Sequence, residues 1–392
     1  MASPPRKFLV FSLYLPFLLL VLSLLFLISH TTFIVLPRSP WRWENANTTT
    51  NTTIAPTDMR SFHISLPPVK TCLNMSLVEL LLTKTPRMQQ FAERAANLFA
   101  RQRPCTHRFF MTWLSPVEQL GHRESLVIET LFRWHPDGCL LIASHTMDSA
   151  GGSDRLRPFL DRGFHVAAMS PDMAYLLDGT PAEGWLAKLC HGEFSPDTVA
   201  ICQNLANLLR LALLYKYGGI YMDADVVVLR PFTGLRNAIG AQEVDAGTGE
   251  WTMLNNAVLV FDRGHPMMCD FIAEFAATFD GSKWGHNGPH MASRVAERVR
   301  HRMPELGVTV LPPQAFYPVD WNNIGGLFVA PKDAKGERWV KSEMDDIKGN
   351  KTFGIHLWNK VSKSLKMEDD SVIASLISQG CLFCNSSIKQ RV

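Results

Sequence analysis

Hydrophobic and polar positions fall into successive regimes along the chain. From Phe8 to Val35 the residues are predominantly apolar with no charged side chain, a run long enough to cross a bilayer. Residues 37–70, with NANTTTNTTIAPT at their centre, lack any periodic apolar pattern and read as a flexible stalk. Between Leu77 and Ala100, apolar residues recur at helical spacing (Leu77, Leu80, Leu81, then Phe91, Ala95, Leu98). Short strand-like runs then alternate with helical stretches: RFFMTWL (108–114), a helix over 118–134, CLLIAS (139–144) and FHVAAM (164–169). Later strand candidates are VVVL (226–229), AVLVF (257–261), VTVL (308–311) and TFGIHLW (352–358). This alternation predicts an α/β fold, a mostly parallel sheet with helices on its faces.

The best-defined helix is NLANLLRLALLYKY (204–217). Leu205, Leu208, Leu209 and Ala212 share one side, while Gln203, Asn207 and Arg210 cluster on the other. Gly218 and Gly219 end it, as C-terminal glycines do. Directly beyond, GGIYMDADVVVLRPF sets two aspartates one residue apart before an apolar run. Carboxylates disfavour strand interiors. On an extended strand residues two apart point the same way, so Asp223 and Asp225 converge on one object. Like charges on one face repel unless a cation lies between them, and oxygen ligands of this kind suit Mn²⁺ or Mg²⁺. A solvated strand end is the plainer reading of a lone DxD, so the surroundings must decide.

Composition narrows the setting. At 46% hydrophobic residues the chain can build a full core, and a net charge of +3 gives nucleic acid no electrostatic support. Arg6 and Lys7 precede the apolar run, which places the basic end in the cytosol. The run exceeds the ~7–15 residues of a cleavable signal peptide and lacks a clear cleavage site, so it reads as a signal anchor. Five N-x-S/T triplets (Asn47, Asn51, Asn74, Asn350, Asn385) and all eight cysteines follow it, as suits an oxidising lumen. The predicted order is a cytosolic tail (1–7), a transmembrane anchor (8–35), a lumenal stem (36–76) and a lumenal domain (77–392). Eight cysteines allow four disulfides, among whose pairings sequence does not choose. Cys381-x-x-Cys384 reads as structural. No serine nucleophile elbow, HExxH motif or phosphate-cradling loop appears.

The stretch LLRLALLYKYGGIYMDADVVVLRPF resembles the donor-binding core of glycosyltransferase family 32, its plant-type branch in particular. FFMTWLSP (109–116), TPAEGWL (180–186), NNAVLVFDRGHP (255–266), WGHNGP (284–289) and HLWNK (356–360) extend the resemblance. It implies a GT-A fold, a Rossmann-like α/β/α sandwich, and retaining transfer of a sugar from a nucleotide sugar. Carried onto this chain, it implies that Asp225 binds the metal while Asp223 reaches the donor ribose or sugar and touches the metal. It further implies a donor contact from Arg210, base stacking by Trp113, a metal ligand in His356 and a diphosphate contact from Trp358. The chain departs from the family at Ala206-Asn207, where many members carry Ser-Asp. The Asn207 amide can grip a sugar hydroxyl but offers no charged acceptor. No catalytic nucleophile is assigned.

The resemblance thus implies a Golgi type II membrane enzyme, alone or in a Golgi enzyme complex. It would move a hexose or N-acetylhexosamine (galactose or N-acetylglucosamine, α-1,4-type) from a UDP-sugar to a glycan or glycolipid, with Mn²⁺ or Mg²⁺. The alternative is a catalytically silent lumenal scaffold that binds sugar nucleotides or glycans for a partner enzyme.

Overall fold

A computed structural model describes residues 84–100, 105–194, 199–349, 351–380 and 382–383. The expected tail, anchor and stem, the asparagines of all five N-x-S/T triplets and the Cys381-x-x-Cys384 pair lie outside the described residues. Among the described residues no helix is long and apolar enough to cross a membrane.

The chain enters through helix α1 (Phe91–Phe99) and then alternates strand and helix. Strand β1 (Arg108–Thr112), helix α2 (His122–Trp134), β2 (Cys139–Ala143), α3 (Ala150–Leu160) and β3 (His165–Met169) make two parallel crossovers. Helix α2 starts later than the pattern predicts. Residues 117–119 form a 3₁₀ turn, and the helix begins only after Gly121, whose N–H donates to the Glu124 carboxylate at 2.9 Å. Helix α4 (Ile201–Tyr217) leads into β4 (Gly219–Met222), then β5 (Val226–Val228), β6 (Ala238–Val244) and β7 (Trp251–Phe261). Helices α5 (Pro266–Thr278) and α6 (Pro289–Arg298) follow, then β8 (Thr309–Leu311), α7 (Ala334–Gly349), β9 (Gly354–His356) and α8 (Val372–Gly380).

Seven of the described strands form one sheet in the order β3-β2-β1-β4-β7-β6-β8. It is parallel-dominated but mixed, because β7 runs antiparallel to both β4 and β6. Strand β6, with the sequence AIGAQEV, carries too few large apolar residues to announce itself, and its register against β7 shifts repeatedly. The side chains of β1 and β2 alternate between two cores. Phe110, Leu141 and Ala143 face the layer of α1, α4, α5 and α6. Phe109, Met111, Leu140 and Ile142 face that of α2, α3 and α8. The result is an α/β/α sandwich, in which β1 and β2 are near-continuous apolar runs covered on both faces.

Winding starts at β1, runs outward through β2 and β3, and restarts at β4 on the other side of β1. In open α/β sheets such a switch point opens a crevice beyond the carboxyl ends of the strands. The two ends that meet there are Thr112-Trp113 and Met222-Asp223. Gly218 (φ 65°) and Gly219 (φ 134°) make the turn from α4 into β4. A Cβ at Gly218 would lie 2.4 Å from the Arg263 nitrogen, and one at Gly219 would lie 2.4 Å from the Arg108 carbonyl. Both conformation and space therefore demand glycine.

The aspartates are not on a strand, contrary to the reading above. The main sheet ends at Met222, residues 223–225 form a tight turn in which Val226 N–H donates to the Asp223 carbonyl, and β5 pairs with β9 in a separate two-stranded sheet. Moving from one sheet to the other needs a reversal, and Asp223-Ala224-Asp225 supplies it. Cys105 and Cys139 form a disulfide with their Cα atoms 5.4 Å apart, and Cys190 is disulfide-bonded too. Cys202 and Cys269 are free thiols, so the eight cysteines do not complete four bridges.

Candidate active site

A cleft of about 770 Å³ opens at the switch point. Every residue singled out above for donor or metal binding lines it: Trp113, Asn207, Arg210, Asp223, Asp225, His356 and Trp358. Their geometry shows what each is positioned to do.

Asp223 is held from below. Arg210, only 2% exposed, places a guanidinium nitrogen 3.1 Å from Asp223 Oδ1. The same guanidinium donates to the Asn256 carbonyl at 2.6 Å and lies over the Tyr221 ring, 4.5 Å from its centroid. Tyr221 donates its hydroxyl hydrogen to Asp223 Oδ1 at 2.7 Å and accepts from Thr112 at 2.9 Å. Burial and the neighbouring Asp225 charge raise the Asp223 pKa, and Arg210 opposes them.

Asp225 is held from the other side. Its backbone carbonyl accepts from Leu357 N–H at 2.8 Å, extending the β5–β9 ladder in which Val226 pairs with His356. That ladder sets His356 Nε2 3.3 Å from Asp225 Oδ1, while Oδ2 accepts the Asn359 N–H at 2.8 Å. Burial alone would raise the Asp225 pKa, but the pairing with His356 and the Asn359 bond hold it below the usual carboxylate range. Burial likewise pulls His356 down, yet the Asp225 carboxylate outweighs it and lifts the imidazole above its ordinary value. One ligand atom from each of Asp223, Asp225 and His356 lies within 4.8 Å of the other two. Ligands on opposite sides of a hard divalent ion are roughly 4–5 Å apart, so the three could hold one ion together.

Trp358 sits at φ 54°, ψ 56°, a left-handed backbone that costs a side-chain-bearing residue about 1–2 kcal/mol. Its indole N–H donates to the Val319 carbonyl at 2.9 Å, and its ring meets His356 edge to face at 4.3 Å. The indole donor is therefore spent on the fold, and the ring braces the imidazole. Trp113 likewise spends its N–H on the Pro116 carbonyl at 3.2 Å and is 8% exposed.

Asn207 is buried, and its Oδ1 accepts from Asn256 Nδ2 at 3.0 Å. Gly288 packs directly against it, since a Cβ there would lie 3.0 Å from Asn207 Oδ1. Gly288 caps helix α6, and Pro289 begins it. Asn255, Asn256 and Glu243, which no spacing required at a site, also line the cleft. Sequence reasoning missed Tyr221 and Asn359. Tyr221 could have been found as the strand residue two before Asp223, whereas Asn359 acts through its backbone and leaves no signal.

Residues 121–245 match the glycosyltransferase sugar-binding region containing the DXD motif, and residues 260–388 match the alpha 1,4-glycosyltransferase conserved region. The rat (Rattus norvegicus) lactosylceramide 4-alpha-galactosyltransferase is 31% identical over 265 residues, 65% of this chain and 68% of that one. An uncharacterised Arabidopsis thaliana protein is 31% identical over 73% of this chain, which spans only 44% of that relative's length. Among solved structures, the PaToxG glycosyltransferase aligns over 56% of this chain and 79% of its own, with 16% identity and a TM-score of 0.38.

Proposed function

The chain belongs to the α-1,4-glycosyltransferase family, and from that membership we propose that it is a retaining enzyme of GT-A type. It moves a hexose or N-acetylhexosamine, galactose or N-acetylglucosamine, from a UDP-sugar to a glycan or glycolipid hydroxyl. The observation that carries this reading is the Arg210–Asp223–Asp225–His356 cluster at the switch-point cleft.

The two carboxylates fit Mn²⁺ or Mg²⁺ by donor type, and the imidazole nitrogen favours Mn²⁺ of the two, since Mg²⁺ is the harder, oxygen-seeking ion. Among the described residues His356 also keeps a buried Nδ1 with no partner, as befits a side chain whose contacts are completed by something else. When bound, such an ion offsets the charge that develops on a departing diphosphate. The chain's own residues do the rest. Arg210 and Tyr221 fix the Asp223 carboxylate, while Asn359 and the β5–β9 ladder fix Asp225. These carboxylates are preorganised before a ligand arrives, which is where most electrostatic catalysis originates. The polar wall of Asn207, Asn255 and Asn256 suits sugar hydroxyls, and the Trp113 side of the cleft suits a base.

The apolar run at 8–35 and the triplets that follow it support a single-pass type II protein of the Golgi membrane with this domain in the lumen. The full chain, expressed in a secretory host, is tested with Mn²⁺ against UDP-galactose, UDP-N-acetylglucosamine, UDP-glucose and GDP-mannose by release of free nucleotide diphosphate. Release from one donor, absent in Asp223→Asn/Asp225→Asn, is the expected result. Silence with all four donors and with donor-plus-acceptor mixtures would instead favour the lumenal scaffold.

A further inference from the structure

Helix α4 presents three polar residues toward the cleft at successive turns: Asn204, Asn207 and Arg210. Arg210 is engaged by Asp223 and Asn256, and the Asn207 oxygen by Asn256. Asn204 is different. It is 2% exposed, and among the described residues its amide Nδ2 has no hydrogen-bond partner.

The orientation of that amide is fixed by its neighbours. Asn287 accepts the Asp280 backbone N–H on Oδ1 at 3.1 Å and donates from Nδ2 to the Asp280 carbonyl at 2.8 Å. A backbone N–H can only donate and a carbonyl can only accept, so the Asn287 amide cannot be turned round. Its Nδ2 also donates to Asn204 Oδ1 at 2.9 Å. Asn204 must therefore offer its oxygen to Asn287, which leaves its two N–H donors unused. A buried donor without a partner is costly, and native structures keep few of them. Asn204 lies about 9 Å along the helix from Arg210, at a rise of roughly 1.5 Å per residue. A donor whose diphosphate lay at Asp223 and Asp225 would reach Asn204 by extending its sugar along this wall of the cleft.

We propose that Asn204 is a specificity-determining residue whose unpaired amide N–H donates to an oxygen substituent, hydroxyl or N-acetyl carbonyl, on the transferred sugar of the donor. This rests on the transferase reading above. Sites built to hydrogen-bond a substrate discriminate strongly, because the wrong ligand leaves their polar groups unpaired.

Calorimetry on the full chain with Mn²⁺ tests this by comparing UDP with UDP-galactose, UDP-N-acetylglucosamine and UDP-glucose. The variants are Asn204→Asp, which keeps the oxygen that serves Asn287, and Asn204→Ala. The wild type is expected to bind one UDP-sugar more tightly than UDP. Both variants should lose about tenfold for that sugar nucleotide while UDP affinity is unchanged. Equal losses for UDP and UDP-sugar, or a lowered melting temperature with the UDP-sugar preference intact, would make Asn204 merely structural and overturn the inference. Unchanged donor affinity with a raised KM for acceptor would overturn it as well. A wild type that binds neither UDP nor any UDP-sugar would sink the transferase reading itself, a result distinct from wild-type binding that the variants leave untouched.

Discussion

The backbone N–H of Asn359 donates to Asp225 Oδ2 at 2.8 Å across 134 residues of sequence. That bond closes the cluster from one side, as Arg210 closes it from the other. The centre is therefore assembled from a helix, a turn between two sheets and a late strand, and each part can be tested separately.

Arg210 and Asp223 form a pair in which the arginine is almost wholly buried and the aspartate side chain is 26% exposed. Removing one partner of a buried pair leaves an uncompensated charge, which costs about 3–5 kcal/mol. Arg210→Met should fall near the lower figure because Asp223 keeps some water. In urea unfolding, the double variant Arg210→Met/Asp223→Asn should be less destabilised than the two single losses summed. Strict additivity would show that the two residues do not act as a pair.

His135 offers a pH signature away from the cleft. It is 4% exposed, and its Nε2 accepts the Phe232 N–H at 3.2 Å. Burial, helped by His107, pushes its pKa down to about 4. In the unfolded chain it titrates near the ordinary value of about 6.5. Between these values the unfolded state holds the extra proton. This contribution to stability is present above pH 6.5 and is lost as pH falls toward 4, at up to about 1.4 kcal/mol per pH unit. Equilibrium unfolding at pH 7 and pH 5 should show the loss, and His135→Gln should flatten the slope. An unchanged slope in the variant would remove His135 from the explanation.

Gly218 turns helix α4 into β4 with φ 65° and no room for a Cβ beside Arg263. Gly218→Ala should destabilise the fold by more than about 1 kcal/mol, since both strain and contact oppose it. Transfer activity should fall with it, because Asp223 hangs from the strand this turn starts. A variant of wild-type stability would mean that the helix–strand junction is more adaptable than its geometry indicates.

Much of this arrangement was legible in the residues. The short apolar runs of β1 and β2, alternating with helical stretches, forecast the layered α/β architecture, and helix α4 stood out by its leucines. Asp223 and Asp225 were recognisable because two charges before Val226–Val228 needed a reason. What sequence could not give was geometry that depends on pairing. The reversal at 223–225 exists because β4 and β5 join different sheets, and the antiparallel run of β7 depends on its neighbours. Strand β6 was invisible, as AIGAQEV owes its place to flanking strands rather than to its own propensity. Nor could sequence show that the indole donors of Trp113 and Trp358 bond to the Pro116 and Val319 carbonyls. The orphan amide of Asn204 could be seen only once Asn287 lay beside it.

The most direct test of the central claim is a divalent-ion titration of sugar transfer. Nucleotide-diphosphate release from the preferred donor is followed as Mn²⁺ is added to chelator-treated protein, for wild type, Asp225→Asn and His356→Ala. A centre built from Asp223, Asp225 and His356 predicts saturable activation of the wild type. Both variants should then need more Mn²⁺ or reach rates lower by a factor on the order of 100. Full activity in chelator, or identical Mn²⁺ curves for all three proteins, would contradict it.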